Sequence, residues 1–205
     1  MERTITERKE KARQRFADHK AKLVHQDENL LVLDWRHVSG TGDYFVRYIL
    51  DIKRGALIVS GDLGDSIACW YNEVQPDNLA HYLSDVYYYM GKFQCTSDDW
   101  TYDWKDQETD LAEIKAKYLE NVDQNDEDAL EEFNDDFERM LDLMTDCGLA
   151  GARTYPTELV ELFEKYSDDW WESSFADIGK RLNQRVILWA VGFQMAWAQI
   201  KEGTD

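Results

Sequence analysis

The sequence predicts an α+β fold: an N-terminal helix, a four-stranded antiparallel meander, and a helical C-terminal half packed on the sheet. Residues 29–71 hold short runs of β-branched and aromatic residues separated by glycine-bearing turns, which is typical of strands and hairpins. Over residues 77–203, apolar residues recur at the three- and four-residue spacing of amphipathic helices. Only two prolines occur, and no linker-like segment divides the 205 residues. We therefore expect a single domain over residues 1–205.

Residues 1–25 predict an exposed and mildly basic helix. Residues 2–22 are rich in helix-forming residues with few apolar positions, and the first 25 residues hold eight Lys or Arg against four Asp or Glu. A basic helix of this kind could bind nucleic acid. The interspersed glutamates instead favour a solvent-facing surface with ion pairs three and four residues apart.

Four strands are predicted between residues 29 and 71. They are Leu30–Val38, Tyr44–Ile52, Ala56–Ser60 and Ser66–Tyr71. Apolar residues alternate with Asp34 and Arg36 in the first strand, which predicts one face covered by helices and one face at least partly in contact with water. The Gly40–Gly42 and Gly61–Gly64 turns resemble phosphate-binding loops, but each leads into a strand and not into a helix. We therefore interpret them as hairpin turns.

Helical spacing predicts five segments after Pro76. They cover Leu79–Phe93, Leu111–Tyr118, Leu130–Met144, Pro156–Glu164 and 175–201, with a loop over Cys95–Trp104. Residues 147–148, a cysteine and a glycine, are expected to end the third helix, and Ser174 with Asp177 to start the last one. The last segment is apolar on nearly every side over residues 186–197, so we expect it to be the central buried helix packed on the sheet.

The formal net charge of −19 is concentrated in residues 98–146, which hold nineteen Asp or Glu against four Lys or Arg. We call these residues the acid band. Such a field repels phosphate groups and attracts basic surfaces, which excludes direct nucleic-acid binding by this part of the chain. The acids of Leu130–Met144 lie largely opposite its apolar residues, so the band is expected to be an ordered, helix-borne surface.

The sequence contains no recognisable metal site or catalytic motif. The four histidines lack the spacing of metal ligands; they are His19, His25, His37 and His81. The acids of residues 123–128 resemble a calcium-binding loop, but Asp128 occupies the position that requires glycine and Asn134 the position that requires glutamate. Acids at the positive end of a helix are the better interpretation. The sequence therefore favours a protein that is not an enzyme, with no metal and no cofactor.

The chain has the features of a cytoplasmic protein. Its three cysteines are widely spaced, which argues against disulfide bonds and for a reducing compartment. The N-terminus is charged throughout and lacks the apolar stretch of a signal peptide. The longest apolar stretch, Val186–Ile200, is shorter than the ~20 residues that span a bilayer. We therefore expect no membrane association.

Acidic residues beside aromatic ones are typical of surfaces that bind basic proteins, because the rings supply contact area and the carboxylates pair with Arg or Lys. The candidate partner-binding residues of the acid band are Asp98, Asp99, Trp100, Asp103, Trp104, Asp123, Asp126, Glu127, Asp128, Glu131, Glu132, Asp135, Asp136 and Glu138. The Tyr87–Tyr89 and Asp168–Glu172 runs have the same character. The alternative is that these rings fold back onto the core.

Three segments, about a quarter of the chain, carry a resemblance to other proteins. They are Tyr48–Tyr71, Asp77–Val86 and Arg185–Trp197. They resemble uncharacterised proteins of phages and mobile elements in Gram-positive gut bacteria, and no catalytic motif comes with them. The resemblance implies a genetic setting in which small acidic accessory proteins include inhibitors of host defence, anti-CRISPR proteins among them.

We therefore predict a non-enzymatic acidic protein in the cytoplasm of a bacterial host. It would block the basic nucleic-acid-binding surface of a host defence nuclease, such as a CRISPR effector, with carboxylates of residues 123–142 in place of phosphates. One alternative is an enzyme or small-molecule binder with a site between sheet and helices, near Trp35, His37 and Tyr71. Another is a structural or accessory phage protein. The acid band itself could also be a solvated surface that only adds solubility.

Overall fold

The computed structural model describes residues 2–39, 44–102, 104–146, 155–167 and 178–203. These residues form seven helices and eight strands, which confirms the α+β class. The chain divides into two compact units. Unit 1 comprises Met1–Asp99 and Leu182–Asp205, and unit 2 comprises Trp100–Arg181. That residues 1–205 behave as one domain stays a prediction.

Unit 1 contains a six-stranded antiparallel sheet whose strands lie side by side in chain order. The strands are β1 (His19–Gln26), β2 (Leu30–His37), β3 (Val46–Asp51), β4 (Ala56–Gly61), β5 (Ser66–Cys69) and β6 (Phe93–Thr96). Strands β2 to β5 are the four that the sequence predicts. The four-stranded count is wrong, because β1 and β6 extend the sheet at its two edges.

Four helices accompany this sheet. They are α1 (Glu2–Arg15), α2 (Pro76–Tyr82), α3 (Val86–Met90) and α7 (Gln184–Glu202). Helix α7 is the central one: residues Val186–Phe193 are all buried, and the helix packs on β1, β2 and β3 as well as on the other three helices. The hydroxyl of Tyr48, in β3, donates a hydrogen bond of 3.0 Å to the carbonyl of Trp189. The expected buried helix on the sheet is confirmed.

The predicted N-terminal helix is present and largely exposed, but its predicted extent over residues 1–25 is wrong. Helix α1 ends at Arg15, and the chain then turns into strand β1. Ala12 and Phe16 are fully buried, because α1 packs along α7. Strand β1 carries no clear alternation, since it lies at the sheet edge and only His19 among its side chains is buried.

Two other predicted boundaries are wrong because a side chain caps a helix. The predicted helix over Leu79–Phe93 is divided into α2 and α3, since the Asp85 carboxylate accepts hydrogen bonds from the amides of Tyr87 and Tyr88 and starts a new helix. The last helix begins at Gln184 and not at residue 175. Asn183 caps it by accepting a hydrogen bond of 3.1 Å from the amide of Arg185.

Unit 2 is mainly helical. Its helices are α4 (Trp104–Leu119), α5 (Glu127–Asp146) and α6 (Thr157–Tyr166), and strands β7 (Trp100–Tyr102) and β8 (Lys180–Leu182) pair in a two-stranded sheet. The helices fall where the apolar spacing predicts them, but β7 lies within the predicted loop Cys95–Trp104. The core consists of Tyr118, Phe133, Phe137, Met140, Met144, Leu159, Phe163, Tyr166 and Ile178.

Several predictions fall outside the described residues: the Gly40–Gly42 turn, the helix end at residues 147–148, the helix start at Ser174 and Asp177, and the Asp168–Glu172 run. None of the helices in the described ranges is long and apolar enough to cross a membrane.

Candidate protein-binding surface

Helix α5 begins with acids that hold its first turn. Asp126 Oδ1 accepts hydrogen bonds from the amides of Asp128 and Ala129, at 3.1 and 3.2 Å, and therefore caps the helix. In the preceding turn, Asp123 Oδ1 accepts a hydrogen bond of 3.0 Å from the amide of Asn125. These acids accept hydrogen bonds from amides that the helix itself leaves without a partner, and they lie near the positive end of the helix dipole. Both features agree with the interpretation of residues 123–128 as a helix start.

Two other acids of α5 are bound by a cation from α6. Lys165 Nζ lies 2.6 Å from a carboxylate oxygen of Glu132 and 2.6 Å from one of Asp136, and the Tyr166 hydroxyl donates a hydrogen bond of 2.7 Å to Asp136. Partial burial opposes ionisation of Asp136, but the hydrogen bonds from Lys165 and Tyr166 outweigh it and lower the pKa of this carboxyl. Burial, together with the bond to Asp136, raises the pKa of Tyr166 to about 12. Glu132 and Asp136 therefore hold α5 on α6.

A second bridge between the same two helices involves Arg139 of α5. Its Nε and Nη2 donate hydrogen bonds of 2.8 and 3.1 Å to the two carboxylate oxygens of Glu158. The fork geometry matches the carboxylate, and this bond lowers the pKa of Glu158. Both groups are about half exposed, so the bridge orients the helices more than it stabilises them.

Five of the remaining acids of α5 form a line of exposed carboxylates, the acidic ridge. It consists of Asp128, Glu131, Asp135, Glu138 and Asp142. Their alternating three- and four-residue spacing places them along one side of the helix, over about 21 Å at 1.5 Å per residue. No ion pair joins any of the five to a Lys or Arg of the described residues. The ridge is therefore a row of uncompensated negative charges.

The other predicted residues of the acid band do not join this ridge as one set. Asp98 is exposed, and Asp99 is half-buried, with its carbonyl accepting a 2.8 Å hydrogen bond from the amide of Asn183. Trp100 is half-buried, and its ring lies 4.5 Å from Lys180 Nζ. Asp103 and the side chain of Trp104 lie outside the described residues, and Glu127 is exposed in the first turn of α5.

The Tyr87–Tyr89 run divides between core and surface. Tyr89 is fully buried, whereas Tyr87 and Tyr88 are 42% and 40% exposed. Lys92 Nζ lies 4.6 Å from the centre of the Tyr88 ring, a cation–π distance. One ring thus folds onto the core, and two remain at the surface of unit 1.

The three residues considered for a ligand site do not converge. Trp35 is fully buried, and Tyr71 is 99% exposed. Tyr71 follows β5, which two strands separate from β2, or about 14 Å at the usual strand spacing. Trp35 and His37 both lie beside His19, with ring centres 5.5 and 5.4 Å from it, so Tyr71 is the residue that stays apart. Among the described residues, no group of three or more His, Cys, Asp or Glu could hold a metal ion.

The charge of the protein is concentrated in unit 2. Its 82 residues hold 24 Asp or Glu against 8 Lys or Arg, a net charge of −16, whereas unit 1 holds 18 against 15, a net charge of −3. The sequence indicates the acid band but not the cations that divide it. Lys165 lies 29 and 33 residues from its two acidic partners, so only the packing of α6 on α5 reveals which acids remain uncompensated.

Comparisons with protein-family models, with curated proteins and with solved structures find no match to this chain.

Proposed function

We propose that the protein is a non-enzymatic binding protein whose acidic ridge docks on the basic, nucleic-acid-binding surface of another protein. The observation that carries the proposal is the bare ridge itself: five exposed carboxylates in line on an ordered helix, while the neighbouring Glu132 and Asp136 are bound by Lys165. Carboxylates carried by a formed helix are preorganised for a partner in one respect, because little backbone freedom is lost on binding.

The spacing of the ridge supports a role as a substitute for a phosphate backbone. Five carboxylates over about 21 Å give one negative charge per ~5 Å of helix, against one per about 3.4 Å along each strand of duplex DNA. A groove of Lys and Arg that neutralises phosphates would therefore meet a comparable row of charges. Complementary charge also accelerates association at low salt.

The specific form of the proposal is inhibition of a host defence nuclease, in the manner of anti-CRISPR proteins. It is supported by the resemblance of three segments to proteins of phages and mobile elements, and by the charge of unit 2. In nucleases of the Cas9 type the guide–target duplex lies in a positively charged channel. A ridge that occupies such a channel would exclude the nucleic acid by competition.

The test is a DNA-binding competition assay with a panel of RNA-guided nucleases and restriction enzymes. We expect the protein to release labelled DNA from at least one of them, more strongly at low salt than at high salt. Reversal of two ridge charges, Glu131→Lys with Asp135→Lys, should weaken inhibition at least tenfold. Glu132 and Asp136 are left unchanged, because they hold α6.

The matched control reverses two exposed acids of unit 1, Glu28→Lys with Glu202→Lys, and changes the net charge equally. It should inhibit like the wild type. Equal inhibition by the ridge variant and the wild type would exclude the ridge as the binding surface. Absence of inhibition across the whole panel at low salt would reject the proposed function. Circular dichroism of each variant identifies loss of folding.

A further inference from the structure

A basic groove lies at the β1 edge of the sheet in unit 1, in a protein whose net charge is −19. The groove has a volume of about 370 Å³, and its lining includes Lys20, Lys22, Asp34, Arg36 and His37. Four of these residues share the sheet face opposite α7. Lys20 is paired in register with Arg36, and Lys22 is paired with Asp34. Because side chains alternate between the two faces along each strand, all four point to the same side.

The cations of this groove are not compensated within the described residues. Lys20 lies directly opposite Arg36, and like charges in that position destabilise a strand pair. The acid of the groove, Asp34, has both carboxylate oxygens bound by Arg47, at 2.7 and 2.9 Å. Lys20, Lys22 and Arg36 form no ion pair with any described acid. Three positive charges therefore surround one small space.

The guanidinium of Arg36 lies over an aromatic ring. The guanidinium carbon lies 4.7 Å from the centre of the Phe45 ring, at a distance typical of cation–π contact. A stacked guanidinium keeps its planar fork of N–H donors, which matches the paired oxygens of phosphate and carboxylate groups. The contact with the ring thus leaves the N–H donors of Arg36 available for a ligand.

We propose that this groove binds a phosphate-bearing ligand, either a free nucleotide or the phosphates of a single strand. A phosphate monoester brings about −1.5 to −2 charges on three oxygens, whereas a carboxylate brings one. Three uncompensated cations around about 370 Å³ therefore match concentrated phosphate charge better than the dispersed charge of an acidic peptide. Pockets for small ligands start at about 300 Å³.

Protection of the sheet edge is the competing explanation for the lysines, because lysine on an edge strand discourages pairing with another chain. It does not account for Arg36. This residue lies on β2, which is paired on both sides by β1 and β3, and its position opposite Lys20 adds repulsion. The arginine therefore serves as the test residue.

The experiment is isothermal titration of the full chain at low ionic strength with three probes: pyrophosphate, ADP and an eight-nucleotide single-stranded DNA. We expect binding of at least one probe with a Kd below about 1 mM, and affinity that falls with salt. Arg36→Gln should weaken it at least tenfold, and Arg36→Lys less. Tighter binding of ADP than of DNA identifies a nucleotide site, and the reverse order identifies a strand site; both support the proposal.

The matched control is Arg54→Gln, which removes one exposed positive charge from the turn between β3 and β4 and should leave every Kd unchanged. Equal weakening by both substitutions would show nonspecific attraction and overturn the proposal. Failure of all three probes to bind, or tighter binding of an oligoglutamate peptide than of pyrophosphate, would also overturn it. Amide chemical-shift mapping gives a second readout, in which shifts confined to β1 and β2 are expected.

Discussion

The contact between α7 and the sheet at Gly192 predicts a specific pair of mutational effects. A Cβ atom at this position would lie 2.4 Å from the Tyr48 hydroxyl oxygen, 3.3 Å from a ring carbon of Phe16 and 3.4 Å from one of Trp35. Contacts below 3.0 Å require something to move. The Tyr48 side chain has little freedom to do so, since it is fully buried and bonded to the Trp189 carbonyl.

The magnitudes for Gly192→Ala follow from two opposing effects. Overpacking of a rigid core costs about 1–3 kcal/mol, while replacement of a helical glycine by alanine contributes about 1 kcal/mol. We therefore expect a net loss of up to about 2 kcal/mol in unfolding free energy. Tyr48→Phe alone should cost about 1 kcal/mol, the usual contribution of one hydrogen bond.

The double variant distinguishes this explanation from a general loss of packing. Without the Tyr48 hydroxyl, the closest neighbour of the new Cβ would be the Phe16 carbon at 3.3 Å, which a small shift relieves. In the Tyr48→Phe background, Gly192→Ala should thus be neutral or stabilising by up to about 1 kcal/mol, which corresponds to a coupling energy of about 1–3 kcal/mol.

The assay is guanidinium chloride unfolding of the four proteins, followed by tryptophan fluorescence and circular dichroism. Buried Trp35 and Trp189 lie in the perturbed region. An equal cost of Gly192→Ala in both backgrounds would refute the role of the hydroxyl. A gain in stability from Gly192→Ala in the wild type would refute the close approach of helix and sheet.

Three further predictions concern single contacts. Asp136→Asn should destabilise the protein by about 1–2 kcal/mol at pH 7. The folded pKa of Asp136 is lowered, so its contribution is present above the unfolded pKa of about 3.9 and is lost as pH falls through the folded value. The gap between variant and wild type in urea unfolding should therefore narrow from pH 7 to pH 3, and a gap of equal size at both pH values would contradict this. The side-chain amide of Gln199 forms hydrogen bonds with the backbone of His19 and Ala21, at the outer edge of β1. Gln199→Leu removes these bonds, and analytical ultracentrifugation should then show self-association through the exposed edge. An unchanged monomer–oligomer distribution would contradict this prediction. Glu131→Gln should raise the thermal midpoint slightly and reduce its dependence on salt. The reason is that Glu131 is repelled by the acids four residues away, Glu127 and Asp135, by about 0.2–0.5 kcal/mol per pair. A lower midpoint would show that Glu131 makes a stabilising contact.

The parts of the fold that the sequence predicts are those with strong local periodicity. Helix α5 follows from its apolar spacing, because its buried side and its acidic side are both regular along the chain. Strands β2 to β5 follow from alternation between glycine-bearing turns. In these segments the local pattern and the tertiary packing require the same arrangement.

The missed elements are those in which tertiary pairing overrides a weak local pattern. Strand β1 has an irregularity in its pairing between Leu23 and His25, and the bulge breaks the two-residue alternation. Strand β6 is short and begins at Phe93, which also continues the helical spacing of the preceding segment. The cap at Asp85 was recognisable as an aspartate ahead of an apolar run.

The candidate surface shows a similar division. Composition identifies the acid band, but the choice between bridging and uncompensated acids depends on where Lys165 and Arg139 lie in space. The basic groove was not predicted, because Lys20 and Arg36 are sixteen positions apart and adjoin only through the register of β1 and β2.

Several cations of unit 2 stabilise contacts inside the unit and do not neutralise the acidic ridge. Lys165 and Arg139 bridge α5 to α6, Arg181 binds Asp110, and Lys115 lies over rings of the core. These cations serve internal contacts and leave the ridge bare. Apart from Asp128, which lies in the first turn of α5 and favours the helix dipole, the ridge carboxylates add mainly repulsion to folding. Their presence has to be explained by solubility or by a partner. Solubility needs only net charge in any arrangement. A row of exposed carboxylates beside neutralised acids is what the proposed docking function requires, and it makes the ridge open to mutation without loss of the fold.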